Sequence, residues 1–212
     1  MGNAFSPDSP LMELLGKAWN LLVLNLLTLL CCIPVVTAGS AITAAYSVCM
    51  QLRTESVSVF PAYFKAFRDN FKQATMIWGF FFLVAQVLAV DYVIILKTQP
   101  PAQGVFEGII YLLALLLLIA AQWAFALQVR FLNKVRLTIR NSFLLGLGYF
   151  IRSVVMAVVV CLPVAAFWLL DHAVLFVIIV IYGISGPIYI NCLLLEPVFE
   201  QFQKQAEENS DE

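Results

Sequence analysis

The sequence predicts an all-α protein, a polytopic transmembrane helical bundle of about six spans. Of its 212 residues, 62% are hydrophobic and only 12% are charged, and the mean hydropathy is +0.93. Soluble domains carry about 25% charged residues and have too much water-exposed area to hide so much apolar surface. Five stretches of at least 18 residues also lack Asp, Glu, Lys and Arg: 18–52, 73–90, 108–129, 153–170 and 173–195. Bilayer hydrocarbon is the solvent that such stretches favour.

The first apolar stretch is too long for one crossing. A single helix over residues 18–52 would be about 52 Å long, whereas the hydrocarbon core is about 30 Å thick. Pro34 removes a backbone donor and Gly39 tolerates the dihedral angles of a tight turn. We therefore predict an N-terminal helical hairpin broken at Pro34–Gly39, with a re-entrant helix pair as the alternative.

The chain is predicted to form a single membrane domain over residues 1–212. Its expected spans cover residues 17–33, 39–52, 73–96, 106–129, 150–170 and 173–195. An acidic cytoplasmic tail over 196–212 follows, and we expect its end from Gln205 onward to be disordered because it is strongly polar.

The basic residues predict the orientation. Eleven of the twelve Lys and Arg residues fall on one predicted side, and Lys97 alone falls on the other. Because basic loops stay in the cytoplasm, both termini should be cytoplasmic and the protein should lie in the cell membrane. The basic connections at 53–72 and 130–152 also carry apolar residues at helical spacing. They are predicted to be amphipathic and to lie along the cytoplasmic membrane surface.

Asp91 is the only acidic residue plainly inside a predicted span. Ionisable residues at such positions are costly and often functional, so a substrate or proton role is one interpretation. The alternative is that its carboxylate reaches the headgroups or pairs locally. Amides in or near the spans could bind a sugar-like solute, although hydrogen bonding between helices is the preferred interpretation. They are Asn20, Asn25, Gln86, Gln122, Gln128 and Asn191.

Known catalytic and metal-binding motifs are missing from the sequence. It has no GxSxG, HExxH or Walker motif, its five cysteines lack CxxC spacing, and His172 is its single histidine. We therefore expect no enzyme activity, no cofactor and no metal. The net charge of -1 argues against a nucleic-acid partner, since nucleic-acid binding needs a basic surface.

Two segments carry a family resemblance. The run from Asn25 to Gly39, followed by Thr43 to Tyr46, and the run from Phe64 to Thr75, ending at Trp78, resemble the YesL-like family of bacterial integral membrane proteins of unknown function. Ser40 departs from the family pattern, which bears on turn geometry. The candidate functional residues are Asp91 and, within these segments, Pro34, Thr37, Gly39, Arg68, Asn70, Lys72 and Gln73.

The resemblance also implies a role. Members of the family often lie beside genes for carbohydrate ABC import, which implies a non-enzymatic accessory component associated with carbohydrate uptake. Its partners would then be the lipid bilayer and a carbohydrate ABC transporter. Two alternatives stay open: a small solute transporter that uses Asp91 and the broken helices, and a structural membrane scaffold.

The orientation can be tested with topology reporters. We expect a reporter fused after Leu52 to report the cytoplasm and one inserted near Gln99 to report the exterior, because the basic residues flank the first position. Paired alkaline phosphatase and fluorescent-protein fusions measure this directly. The opposite pattern at both positions would contradict the predicted orientation.

Overall fold

The structure, a computed structural model, describes residues 10–55, 57–131, 133–169 and 172–208. All regular elements in these ranges are helical, in agreement with the predicted all-α class. The last four residues of the predicted tail and the side chain of His172 lie outside the described part. The helices are α1 Pro10–Cys32, a 3₁₀ turn Val35–Thr37, α2 Ala38–Thr54, α3 Val59–Thr98, α4 Gln103–Arg130, α5 Val135–Gly148, α6 Phe150–Leu169, α7 His172–Tyr182 and α8 Ser185–Glu208.

Helix α3 joins two segments that the sequence suggested were separate. The aromatic connection around Phe60 and the span at 73–96 form one helix of 40 residues. Pro61 lies in the first turn, where a missing backbone donor does no harm. No other proline interrupts the helix before Thr98. The predicted connection at 53–72 is therefore not an independent surface helix beyond α2 but the first third of α3.

The number of candidate spans is lower than the six predicted. Among the described residues, four helical segments are long and apolar enough to cross a membrane: Leu14–Cys32, Val35–Thr54, Val59–Thr98 and Gln103–Arg130. A fifth crossing results if α5 and Phe150–Pro163 of α6, which meet at 103°, form one broken span. The predicted span at 173–195 is divided between α7 and α8. Helix α8 then continues to Glu208, so the expected disorder from Gln205 was wrong for Gln205–Glu208.

Side-chain pairs show how the central helices run. Helices α3 and α4 are antiparallel, because Gln73 pairs with Gln128 near one end and Tyr111 Oη donates to Tyr92 Oη over 3.1 Å near the other. Helices α4 and α8 run in the same direction, since Asn191 bonds Gln122 and, further along both helices, Gln203 bonds Arg130. The fully buried side chains of Tyr46, Trp123 and Phe199 lie in the core between α2, α4 and α8.

The turn between α1 and α2 is held against α3. Trp78 Nε1 donates a hydrogen bond to the Val35 carbonyl over 2.8 Å. A Cβ built on Gly39 would lie 2.4 Å from Trp78 Cβ and 2.6 Å from the Ala74 carbonyl oxygen, so only glycine allows this close approach. Trp78 is 20 residues before the end of α3 at Thr98. The rest of α3, about 30 Å long at 1.5 Å per residue, therefore extends beyond the turn.

A second helix break lies between Tyr182 and Ser185, and α1 satisfies its backbone groups. The buried Asn25 amide donates to the Ile179 carbonyl over 2.9 Å and accepts from the Ile184 and Ser185 amides over 2.8 and 3.0 Å. Ser185 Oγ in turn donates to the Leu21 carbonyl over 2.8 Å. Helix ends leave backbone groups unpaired, and burial makes unpaired groups costly, so α1 makes this break tolerable.

The close contact at Gly39 leads to a stability prediction. We expect Gly39→Ala to destabilise the protein by about 1–3 kcal/mol, the usual cost of overpacking, because its methyl group meets Trp78 Cβ and backbone. Thermal unfolding in mild detergent, followed by fluorescence-detected size exclusion, measures the effect as a lower midpoint. Gly79→Ala is the matched control, since nothing lies within 4 Å of its Cβ position. Equal midpoints for both variants would contradict the packing argument.

Candidate functional site

A pocket lined by charged and polar side chains lies where α2 and α4 end against the middle of α8. Its volume is about 260 Å³. We call it the polar pocket; its lining includes Ser47, Gln51, Arg53, Thr54, Arg130 and Glu196, together with the apolar side chains of Met50, Val129 and Phe199. Of the cavities described here, it has the greatest concentration of ionisable groups, which makes it the candidate functional site.

Arg53 organises the polar pocket. Its Nη1 donates to the Cys192 carbonyl over 3.0 Å, and its Nη2 forms an ion pair with Glu196 Oε2. The two side chains are 20% and 27% exposed, so the pair is partly shielded from solvent. Hydrogen bonds between charged groups are stronger than neutral ones. The pair therefore joins the end of α2 to α8.

The helix ends account for the basic side chains of the pocket. Arg53 and Arg130 lie in the last turns of α2 and α4, where a cation is favoured by the partial negative charge of a helix C-terminus. Arg130 Nη2 also donates to Gln203 Oε1 over 3.0 Å. Two guanidinium groups and one carboxylate leave a formal charge of +1 in the lining. This arrangement can hold a small polar or anionic group.

The described lining of the pocket contains the hydroxyl and thiol side chains of Ser47, Thr54 and Cys192 but a single carboxylate. That carboxylate, Glu196, is paired with Arg53. General acid–base catalysis needs a group free to exchange a proton with a substrate. No group of three or more His, Cys, Asp or Glu residues in the described part could hold a metal ion.

Buried amides continue from the pocket into the bundle. Asn191 Nδ2 donates to Gln122 Oε1 over 2.8 Å, and Gln128 Nε2 donates to Gln73 Oε1. Trp123 Nε1 likewise donates to Ser153 Oγ over 2.8 Å. These bonds join α4 to α8, α3 and α6 in turn. The interpretation of the span amides as ties between helices is therefore confirmed for these side chains.

The candidate residues of the first segment form the turn itself. Pro34 precedes the 3₁₀ turn, and its carbonyl accepts from the Thr37 amide over 3.0 Å. Thr37 Oγ1 lies 2.7 Å from the Cys31 carbonyl and 2.8 Å from the Pro34 carbonyl. Its hydroxyl therefore donates to carbonyls that have no helical partner at the end of α1. With Gly39 against Trp78, these residues shape and dock the turn.

The candidates of the second segment do not form one site. Arg68 and Lys72 are exposed, and Asn70 Nδ2 donates to the Ala66 carbonyl of its own helix over 3.0 Å. Gln73 alone reaches another helix, through Gln128. The two segments nevertheless meet: Ser40 Oγ lies 3.2 Å from both the Phe71 carbonyl and Thr75 Oγ1. Their joint role in the structure is to hold α2 against α3.

Asp91 lies far from the polar pocket. It is exposed on α3, and the structure gives it no hydrogen bond or ion pair within the described ranges. Gln73, which pairs with α4 near the pocket end, is 18 residues earlier, or about 27 Å along the helix axis. Asp91 therefore lies outside the candidate site and far from the ionisable groups that line it.

The sequence did not single out Arg53 and Glu196. Each stands at the end of an apolar stretch, where charged residues are common. Because 143 positions separate them, the sequence does not indicate that they meet. The available signal was weak: each is the first charged residue after a predicted span. Only the packing of α2 against α8 shows that these two span ends meet.

A second, mostly apolar cavity of about 240 Å³ lies beside the break between α7 and α8. Trp78 lines it near the first break, and Gly183 and Ile184 line it at the second. Gln122 and Tyr46 contribute polar groups. The second break therefore lines this space directly, the first contributes only Trp78, which holds its turn, and Asp91 is not part of the lining.

Comparison with known proteins yields one family match. Residues 21–92 match the family described as "Protein of unknown function, DUF624". This range covers most of α1, the turn, α2 and α3 as far as Tyr92, about a third of the chain. It includes both segments of the YesL-like resemblance and is compatible with that resemblance. No curated protein and no solved structure matches the chain.

The ion pair of the polar pocket can be tested with a double-mutant cycle. We expect Arg53→Ala and Glu196→Ala each to lower stability, and the double variant to lose about 1 kcal/mol less than the sum of the two, since each single change strands the other charge. Thermal or denaturant unfolding in detergent supplies the free energies.

Arg136→Ala is the control for this cycle. Arg136 is an exposed cation on α5 outside the pocket, so its removal should change the unfolding free energy by no more than about 0.5 kcal/mol. Strict additivity of the Arg53 and Glu196 changes would show that the two side chains are not coupled.

Proposed function

We propose that this chain is a multi-pass integral membrane protein without enzymatic activity that acts as an accessory component of a membrane complex. One observation carries the proposal. The polar side chains inside the bundle are engaged with one another, as in Arg53–Glu196 and Gln122–Asn191, whereas the long helices α3 and α4 present large apolar side chains outward. Such a molecule is built to be held in lipid and to contact other membrane proteins.

The proposal includes a location and an orientation. The long apolar helices favour a membrane, which we propose to be the cell membrane, with both termini cytoplasmic. The polar pocket would then lie at the cytoplasmic end, because Arg53 and Arg130 belong to the basic connections that remain on that side. A guanidinium pair at this depth also suits contact with the phosphate region of the membrane.

The complex itself is proposed from the family resemblance. An accessory role in carbohydrate uptake, beside an ABC transporter, is what the YesL-like resemblance implies, and the polar pocket is compatible with a docking site for a polar segment of such a partner. A structural scaffold is the simpler form of the same proposal. In both cases the chain binds a membrane partner and leaves catalysis and ATP hydrolysis to it.

A small solute transporter is the second candidate function. The apolar cavity lined by the break at Gly183 favours it, because broken helices border substrate sites in many transporters. The position of Asp91 argues against the carboxylate mechanism, since it does not line this cavity. Flux into proteoliposomes that contain only this chain would support the transporter.

Affinity purification tests the accessory role. We expect the tagged full-length chain, extracted from its native membrane in mild detergent, to retain an integral membrane partner in a fixed ratio. A transporter permease subunit is the expected partner, identified by mass spectrometry and confirmed by reciprocal tagging. A second tagged multi-pass protein from the same membrane serves as the control for nonspecific recovery.

Either of two results would refute the proposal. Recovery of this chain alone, with no membrane protein enriched over the control, would exclude a stable accessory role. Solute flux that requires no other protein would favour the transporter.

A further inference from the structure

Helix α3 carries a regular apolar stripe on its outer side. Six exposed residues follow each other at alternating spacings of four and three: Met76, Phe80, Leu83, Val87, Val90 and Ile94. We call this stripe the α3 seam. Such a spacing is the heptad pattern of core positions in helices that wrap around each other, and left-handed membrane helix pairs use the same geometry.

The α3 seam faces away from the rest of the chain. The side chains of α3 that contact the bundle or border the groove toward α4 include Ile77, Phe81, Leu88 and Tyr92. These side chains lie about 100° to 160° around the helix axis from the middle of the seam, since one residue advances about 100° around an α-helix. The seam residues remain 39% to 66% exposed. The first and last are 18 residues, or about 27 Å, apart, close to the thickness of bilayer hydrocarbon.

Two polar residues flank the seam. Gln86 precedes Val87 and Asp91 follows Val90. Both are exposed, and neither has a hydrogen-bond partner within the described part of the chain. The spacing of the seam places Phe80, Val87 and Ile94 at a positions of a heptad and the other seam residues at d positions. Gln86 is then a g residue, and Asp91 is the e residue of the following heptad. In a parallel helix pair these positions face each other across the interface. Gln86 of one copy would therefore meet Asp91 of the other.

We propose that the α3 seam is a self-association surface through which two copies of this chain form a parallel dimer. Copies in one membrane share one orientation, so a parallel pair is the geometry available to them. Two symmetric Gln86–Asp91 hydrogen bonds then satisfy side chains that would otherwise face lipid. Polar contacts of this kind stabilise helix pairs in membranes, where apolar contact alone provides little driving force.

The dimer goes beyond the proposed accessory role and does not depend on it. Lipid alone could cover the apolar seam residues. The Asp91 carboxylate, however, lies about 9 Å along the helix axis from Lys97 at the end of α3, and lipid chains offer it no hydrogen-bond donor. A second copy offers that amide at the required place. The hydrogen-bonding pattern is thus complementary to itself, which is the requirement for a two-fold symmetric interface.

Cysteine crosslinking in native membranes tests the interface. In a full-length background with Cys31, Cys32 and Cys161 changed to Ala, we expect Val87→Cys and Val90→Cys to form disulfide-linked dimers on mild oxidation. Leu88→Cys is the matched control, because Leu88 lines the groove toward α4. Equal crosslinking at positions 87 and 88, or none at 87 and 90, would overturn the proposal.

Polar substitutions test the hydrogen bonds. We expect Gln86→Leu and Asp91→Leu each to weaken dimerisation about tenfold, since each removes both symmetric bonds. Self-association of fluorescently labelled full-length chain in phosphatidylcholine vesicles, measured by energy transfer, provides the affinities. Asp91→Asn should preserve most of the association, because its amide oxygen still accepts a hydrogen bond from Gln86.

Unchanged energy transfer in both leucine variants would refute the role of the polar pair, and absence of transfer in the wild-type chain would refute the dimer. The Asp91→Leu variant also distinguishes the seam dimer from the accessory role. A membrane partner that co-purifies with Asp91→Leu as well as with the wild-type chain, in spite of the weakened seam dimer, would leave the accessory role standing by itself.

Discussion

The hydrogen bonds that close the two helix breaks are what the remaining architecture depends on. Within hydrocarbon, a backbone group released by a break has no water to bind and must find a partner in the protein. Asn25 supplies that partner at the junction of α7 and α8. Thr37 and Trp78 supply it at the turn between α1 and α2. Both breaks are therefore tolerated only while α1, α3 and α8 stay assembled around them.

The hydrogen bonds at the second break also determine where the polar side chains of α8 lie in the bundle. Because Asn25 holds the start of α8 against α1, the residues further along α8 come to lie beside α2 and α4. Asn191 then meets Gln122, and Glu196 meets Arg53. These two pairs each join polar groups of neighbouring helices, which suits a low-dielectric surrounding. The polar pocket is the end of this series, where α2 and α4 end with Arg53 and Arg130.

The outer surface follows a different rule. Helices α3 and α4 extend well beyond the α1–α2 turn, so much of their length has protein on one side only. The exposed side is apolar throughout most of the seam, and its polar exceptions, Gln86 and Asp91, flank that stripe. Inside the bundle, polar side chains such as Asn191 and Glu196 have partners on other helices, whereas the outward face of α3 is largely apolar between Met76 and Ile94.

Composition and charge-free stretches were sufficient to predict an all-α, membrane-type protein and the break near Pro34, because apolar length and proline act locally. They could not predict that the segment at 53–72 continues into α3, that α7 and α8 separate at Gly183, or that Arg53 pairs with Glu196. Those features depend on contacts between residues far apart in the chain. A span amide such as Asn25 looks alike in sequence whether it binds a solute or closes a helix break. Only the tertiary structure, by placing Ile179, Ile184 and Ser185 around it, decides between them.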